Sequence, residues 1–301
     1  MTQDELALMQ GLPLTVKIRK SAQRIIEWYE AWDGDVYISF SGGKDSTVLL
    51  NMVRKILGNI PAVFVDTGLE FPEIREFVKT VPNVEWIKPK NNFKQVIEKY
   101  GYPMISKEQA HWIYQVRHGK SESLKNMRVK GINKDGSPTK FKISKKWLYL
   151  INAPFEIGDE CCRCMKKSPM KIYERKTKRK PFVGTMAGES VLRQKTYLKH
   201  GGCNAFNAKR PLSAPLGFWT EVDIWDYIKV FGLMYSRIYD MGYARTGCVF
   251  CGFGCHLEKE PNRFQRLYKT HPVLWDYCMR DKSKGGLGIG DVLDFINVPW
   301  K

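Results

Sequence analysis

The chain lacks any apolar run near the ~18 residues that cross a bilayer, which excludes a helical membrane span. Its first residues, "MTQDELALMQ", lack the basic-then-apolar order of a secretory signal. The expectation is a soluble, cytoplasmic protein with no membrane partner. No internal repeat and no low-complexity tract appears, which argues against a solenoid or a disordered tail. Acidic residues are few beside basic ones, 31 against 49, leaving a formal net charge of +18. Eight cysteines are present, none after Cys278. In a cytoplasmic chain they are not expected to pair as structural disulfides, and their clustering points to a metal or redox role.

The 301 residues suffice for one large domain or for a domain with an appendage. The excess charge is concentrated. Lys107 to Lys146 and Arg163 to Lys180 each carry a net of +8. Such a surface attracts polyanions, because each neutralised phosphate releases condensed counterions. Trp112, Tyr114 and Trp147 interleave with the first stretch, where they are expected to stack on bases. Nucleic acid, either tRNA or DNA, is therefore the expected partner. Oligomeric state is not legible.

Helical periodicity covers Val16 to Trp32, and a short apolar strand follows from Val36 to Phe40. Strand and helix then alternate three times: "IPAVFVDTG" and "VEWIKP" read as strands, "PEIREFVKTV" and "NFKQVIEKYG" as helices. Near-continuous apolar strands alternating with helices predict an α/β fold, a doubly wound and mostly parallel sheet. Lys107 to Trp147 breaks the rhythm and reads as an insertion forming a turn and a short basic hairpin rather than a crossover helix. The pattern resumes with a helix near Lys166 to Lys176, the strand "KPFVGT" and the helix "EVDIWDYIKVF". A helix is expected around Pro261 to Met279. The predicted division is an α/β nucleotide-binding domain at 1–234, holding the basic insertion at about 107–147, and a Cys-rich segment with a C-terminal helix at 235–301.

"VYISFSGGKDSTVLL", Val36 to Leu50, is a strand, a Gly-Gly turn and a helix. Glycines allow several N–H groups to converge on one anion, and the start of a helix adds its positive end. Ser41 and Ser46 add hydroxyl donors and Lys44 a charge. A Walker A loop would need Gly-x4-Gly-Lys, but Ile38 stands five before Gly43, so this is a different phosphate turn.

"SGGKDS" resembles the pyrophosphatase loop of the adenine-nucleotide α-hydrolase superfamily. The chain as a whole resembles the phosphoadenosine phosphosulfate reductase family, through "VDTGLEFPE" (Val65 to Glu73), "GTMAGESVLR" (Gly184 to Arg193) and "PLGFWTEVDIWDYI" (Pro215 to Ile228) as well. The resemblance implies that the loop binds ATP or an adenylylated nucleotide with Mg²⁺. Members that use ATP cleave between the α- and β-phosphates. On that basis Lys44, Asp45 and Asp66 are the catalytic candidates. Ser39, Ser41, Gly42, Gly43, Lys44, Asp45, Ser46, Asp66, Thr67, Gly68, Gly184, Thr185 and Arg193 are the nucleotide-binding candidates. Asp45 either positions metal or caps its helix, and both remain open.

"ECCRCMKKSPM" holds Cys161, Cys162 and Cys164, and "TGCVFCGFGCH" holds Cys248, Cys251 and Cys255. A CxxC pair is a common metal clip, since a tight turn brings both thiolates to one site. A Cys-Cys pair far upstream of a CxxC is similar to the [4Fe–4S] pattern of assimilatory adenylylsulfate reductases, and of iron–sulfur enzymes of the superfamily that thiolate nucleic acids. The expected ligands are Cys161, Cys162, Cys248 and Cys251, with Cys203 the rival for fourth place. Zinc makes the same demands and stands as the alternative.

The reductases that this chain resembles carry a nucleophilic cysteine in an "ECGLH"-like tail, whereas this sequence ends "FINVPWK". The leading expectation is therefore an adenylylating enzyme that activates a nucleic acid for sulfur transfer, fed by a donor such as a cysteine desulfurase. The alternatives are a sulfonucleotide reductase and a metal-stabilised nucleotide- and nucleic-acid-binding protein without turnover.

Overall fold

The computed structural model describes residues 1–301. The first elements are α1 (Gln3–Gln10), α2 (Leu14–Ala31), β1 (Val36–Ser39), α3 (Lys44–Leu57), β2 (Ala62–Val65), α4 (Pro72–Thr80) and β3 (Val84–Ile87). Next come α5 (Phe93–Tyr100), β4 (Met104–Ile105), α6 (Lys107–His118), α7 (Glu122–Lys130), α8 (Ser168–Thr177) and β5 (Lys180–Val183). The remainder is α9 (Val191–Lys199), β6 (Asn204–Ala205), β7 (Leu212–Ser213), α10 (Glu221–Phe231), β8 (Gly252–Phe253), α11 (Arg263–Thr270), α12 (Pro272–Met279) and α13 (Ile289–Phe295).

Two compact units share these elements. One comprises Met1–Asp66, Glu70–Lys88 and Pro169–Thr246; the other Thr67–Leu69, Pro89–Ser168 and Gly247–Lys301. The units interleave along the chain, so a single division near residue 235 does not describe them.

The first unit is an α/β layer structure around a sheet of order β3-β2-β1-β5-β7-β6. All neighbours are parallel except β6 and β7. β1 and β2 bury three of their four residues, as a parallel strand covered on both faces requires. The chain runs outward from β1 to β2 and β3, then returns to pair β5 against the opposite side of β1, Val36 opposite Lys180 and Ser39 opposite Val183. That reversal makes the carboxyl ends of β1 and β5 a topological switch point, where open α/β sheets gather ligands. In the same unit α10 is fixed by a capping box, in which Thr220 accepts from the Asp223 N–H, and by Gly232 in the left-handed conformation. The Lys17 ammonium, 2% exposed, reaches Asp223 Oδ2 and the Gln10 carbonyl at 2.6 Å each.

The second unit is mostly helical, with one short parallel pair, β4 against β8. Gly252 of β8 lies against Met104, which leaves no room for a side chain there. The Tyr102 hydroxyl donates to the Leu287 carbonyl at 2.7 Å.

Three expectations are corrected here. The basic insertion holds two helices, α6 and α7, capped by Ser106 and Ser121. The expected turn survives as a tight loop after them, with Ile132 bridged to Pro138. Trp112 and Trp147 are 5% and 8% exposed, so these rings pack inside and present no face to a base. The helix expected over Pro261 to Met279 is two, because Pro272 lacks the N–H that would continue α11.

Candidate functional site

The turn after β1 is built by exclusion. Gly42 has φ +73°, and a Cβ there would stand 2.7 and 2.8 Å from the γ-methyls of Val78 and Ile74. Gly43 lets Thr246 approach to 2.9 Å of where its Cβ would be. Ser46 Oγ sits at the centre of the turn, accepting from the Ser41 N–H at 3.2 Å and donating to the Gly43 carbonyl at 2.8 Å. Ser41 is exposed at the rim.

Lys44 opens α3 and is 4% exposed. Its ammonium lies 3.2 Å from Glu221 and 3.6 Å from Asp45, and donates to the Ala244 carbonyl at 3.4 Å. Its backbone N–H donates to the Tyr239 hydroxyl at 2.8 Å, satisfying one of the helix's orphan donors. Tyr239 and Glu221 are residues that sequence reasoning missed. Tyr239 stands 195 residues from Lys44, and no local pattern links them.

Asp45 is half-buried, and burial pushes its carboxyl above the usual range while Lys44 pulls it down. Its Oδ1 is buried without a hydrogen bond, facing the Lys44 ammonium at 3.6 Å. Asp66, at the end of β2, accepts from Arg75 at 3.0 Å through Oδ2, while its Oδ1 is likewise orphaned. Orphaned carboxylate oxygens are costly to bury unless a cation completes them. Asp66 Oδ1 is therefore suited to a cation, whereas Asp45 Oδ1 already faces the Lys44 ammonium.

Gly184 follows β5, and its Cα packs so closely on α3 that a Cβ would stand 3.1 Å from the Asp45 backbone. Thr185 and Arg193 line a 210 Å³ cavity with Tyr197 and His200. The Arg193 guanidinium is paired with Glu189; partial burial holds it below its ordinary value, against the pull of Asp45. Ser39 closes β1 opposite Val183. Thr67 and Gly68 belong to the other unit, where the Thr67 hydroxyl accepts from the Leu69 N–H at 3.1 Å.

In that second unit four thiols influence one another. The Cys161 thiol is pushed far up by the hydrogen bond it donates to Cys162, by burial, and by Cys162, Cys248 and Cys251. Cys162 is pulled down to about 5 by the same hydrogen bond and by Lys107 and Lys166, against burial. Burial raises Cys251, with Arg263 and Lys107 opposing. The Cys251 N–H donates to the Cys248 carbonyl at 3.1 Å, closing the CxxC turn, and Arg263 holds the Cys251 carbonyl at 2.8 Å. No three His, Cys, Asp or Glu side chains stand close enough to hold a single metal ion. Cys203 is not among these thiols. It lies in the first unit, buried, with its sulfur 3.3 Å from the Tyr197 hydroxyl. Lys107, Lys166 and Arg263 escaped sequence reasoning, since a lysine beside a cysteine in space leaves no signature in spacing.

Comparison with known proteins follows the same lines. Residues 35–132 and 129–252 match the phosphoadenosine phosphosulfate reductase domain. An uncharacterized protein of Methanocaldococcus jannaschii is 27% identical over 264 residues, covering 86% of this chain and 51% of that protein. The chain thus spans about half the length of that relative. The adenosine 5′-phosphosulfate reductase of Staphylococcus epidermidis is 24% identical over 237 residues, covering 77% of this chain and 76% of the reductase. The crystal structure of a phosphoadenylyl-sulfate reductase from Candida auris, a phosphate complex, is 16% identical, with a TM-score of 0.46 over 82% of this chain and 96% of that one.

Proposed function

The chain belongs to the phosphoadenosine phosphosulfate reductase family, and from that premise we propose that it is an adenylylating ATP pyrophosphatase that activates a nucleic acid for sulfur transfer. The observation that carries this is the turn at the switch point. Gly42, at φ +73°, and Gly43 keep the turn clear of side chains, buried Lys44 places a charge at the start of α3, and Asp66 holds a buried oxygen with no hydrogen-bond partner, suited to Mg²⁺.

An acceptor oxygen, the carbonyl oxygen of a base, attacks the α-phosphorus of ATP. The bond from that phosphorus to the bridging oxygen breaks, and pyrophosphate leaves with its electron pair. Lys44 stabilises the charge that builds on the phosphates. The terminal sulfur of a persulfide, supplied by a donor such as a cysteine desulfurase, then attacks the activated carbon, and AMP departs with the oxygen. A thiol reductant next attacks the donor's sulfur, breaking the S–S bond, so that the thio group stays on the base and the donor leaves as a disulfide.

Cys161, Cys162, Cys248 and Cys251 would hold a [4Fe–4S] cluster. The influence of Cys162, Cys248 and Cys251 on the Cys161 thiol, all within one unit, supports a shared inorganic centre. Such a cluster would supply a site where sulfur is bound. Lys107 and Lys166 favour the thiolate form that such ligation needs. The net charge of +18 suits a polyanionic acceptor.

The test is pyrophosphate release from Mg-ATP by anaerobically purified protein, with and without tRNA or DNA. Release stimulated by one polymer is expected, and Lys44→Ala should lower it about 10²–10³-fold with the melting temperature as folding control. No release with either polymer would remove this assignment. A second reading, sulfonucleotide reduction, is favoured by relatives named as adenosine 5′-phosphosulfate reductases. It requires thioredoxin-dependent sulfite release from that sulfonucleotide.

A further inference from the structure

The basic insertion carries one aromatic ring in water. Phe141 is 62% exposed and stands between Lys140 and Lys142 in the second unit. Lys130, Lys134, Lys140, Lys142, Lys145 and Lys146 are all exposed. The two carboxylates of the segment 120–146 are already engaged, Glu122 by Lys125 at 2.9 Å and Asp135 by the Ser137 N–H and hydroxyl. The six lysines therefore face water without a carboxylate partner.

An isolated exposed phenylalanine is ordinary on a protein surface. This one differs in its mounting. The Phe141 carbonyl accepts from Arg128 Nη1 at 2.8 Å, and its N–H donates to Thr139 Oγ1 at 3.2 Å. Two residues on, the Ile143 N–H donates to the Arg128 carbonyl at 2.7 Å, and the Ile143 side chain is buried. Arg128 is itself fixed, its Nε on Gln115 at 2.8 Å and its guanidinium 4.9 Å from the Trp112 ring centroid. Buried Trp112 is thus the foundation of the mount, and the ring that meets solvent is Phe141. The backbone on both sides of the ring is ordered before any ligand arrives, which lowers the entropy lost on binding.

We propose that the segment 128–146 is a single-strand nucleic-acid site, in which Phe141 stacks on one unpaired base and the flanking lysines hold the adjoining phosphates. Every base offers a π-face, so the site tolerates sequence. A lipid surface is a poor fit, because interfacial binding needs an apolar face, and here Phe141 and Ile132 are the exposed large apolar residues. This site rests on the reading that the acceptor is nucleic acid, and adds where and in what form it is held.

The test is equilibrium binding of labelled single-stranded DNA and RNA oligonucleotides and a matched duplex, without ATP, across a salt series. Phe141→Ala should weaken single-strand binding about 5- to 150-fold and leave the salt slope unchanged, while Phe141→Tyr restores affinity. Lys140→Ala with Lys142→Ala should lower the slope of log K against log salt by about 1.4. The DNA and RNA arms identify which polymer is preferred. Equal binding by wild type and Phe141→Ala, or tighter binding to the duplex, would overturn the site. So would Phe141-dependent binding to phosphatidylserine vesicles in place of strands. Pyrophosphate release is measured separately, so an active enzyme that ignores strands refutes this site alone, and strand binding without turnover refutes only the enzymatic assignment.

Discussion

Replacing Gly42 by alanine perturbs one backbone position in two separable ways. A side chain at φ +73° costs about 1–2 kcal/mol from the left-handed conformation alone. The new methyl also falls 2.7 and 2.8 Å from the γ-methyls of Val78 and Ile74. Both residues are buried on α4 and have no solvent to retreat into. Overpacking of this kind costs about 1–3 kcal/mol, so the expected loss is about 2–5 kcal/mol. Gly232, at the end of α10 in the same unit, has φ +58° with nothing near its would-be Cβ, so Gly232→Ala isolates the first cost. Urea unfolding followed by tryptophan fluorescence reads both variants, since Trp28 and Trp219 are buried in that unit. Gly42→Ala should be the less stable by about 1–3 kcal/mol, and Mg-ATP should stabilise it less than wild type. Equal losses for the two variants would refute the claim that α4 locks the turn.

Lys17→Met removes the ammonium that meets Asp223 and leaves that carboxylate buried, at a cost of about 3–5 kcal/mol in the same unfolding experiment. A loss below about 1 kcal/mol would mean that water reaches the pair. Burial pushes the Cys203 thiol up to about 11 from an ordinary 9. Its neutral form is favoured in the fold, so that contribution is complete below pH 9 and is lost as pH rises toward 11, about 2–3 kcal/mol in all. The wild-type advantage over Cys203→Ala should shrink by that amount between these pH values, and a constant difference would show that the thiol ionises freely in the fold.

What was legible in the sequence was local. The apolar strands, the glycine turn and the capped helices declare themselves within a few residues, so β1, α3, β2 and α4 fall where periodicity puts them. α7 does not, because none of its residues is buried and it shows no apolar stripe to read. Its signals are Ser121 before it and left-handed Gly131 after it. Trp112 and Trp147 illustrate the opposite failure. A ring within a run of lysines resembles a stacking surface, yet the lysines face water while the rings pack inward. The partners of Lys44 lie far along the chain, and proximity of that kind is a property of the folded state.

The interleaving of the two units has a consequence for synthesis. The ribosome delivers β1, α3, β2, α4 and β3 first, then makes all of Pro89–Ser168 before returning to the same unit. At about 5–20 residues per second that detour lasts roughly 4–16 s. Throughout it β1 waits without β5, one edge of the future sheet unpaired and open to another chain. Tyr239, which caps the first N–H of α3, arrives later still. The glycine turn after β1 is therefore among the first segments made and among the last to be completed, and a chain halted in the detour exposes the strand that leads into it.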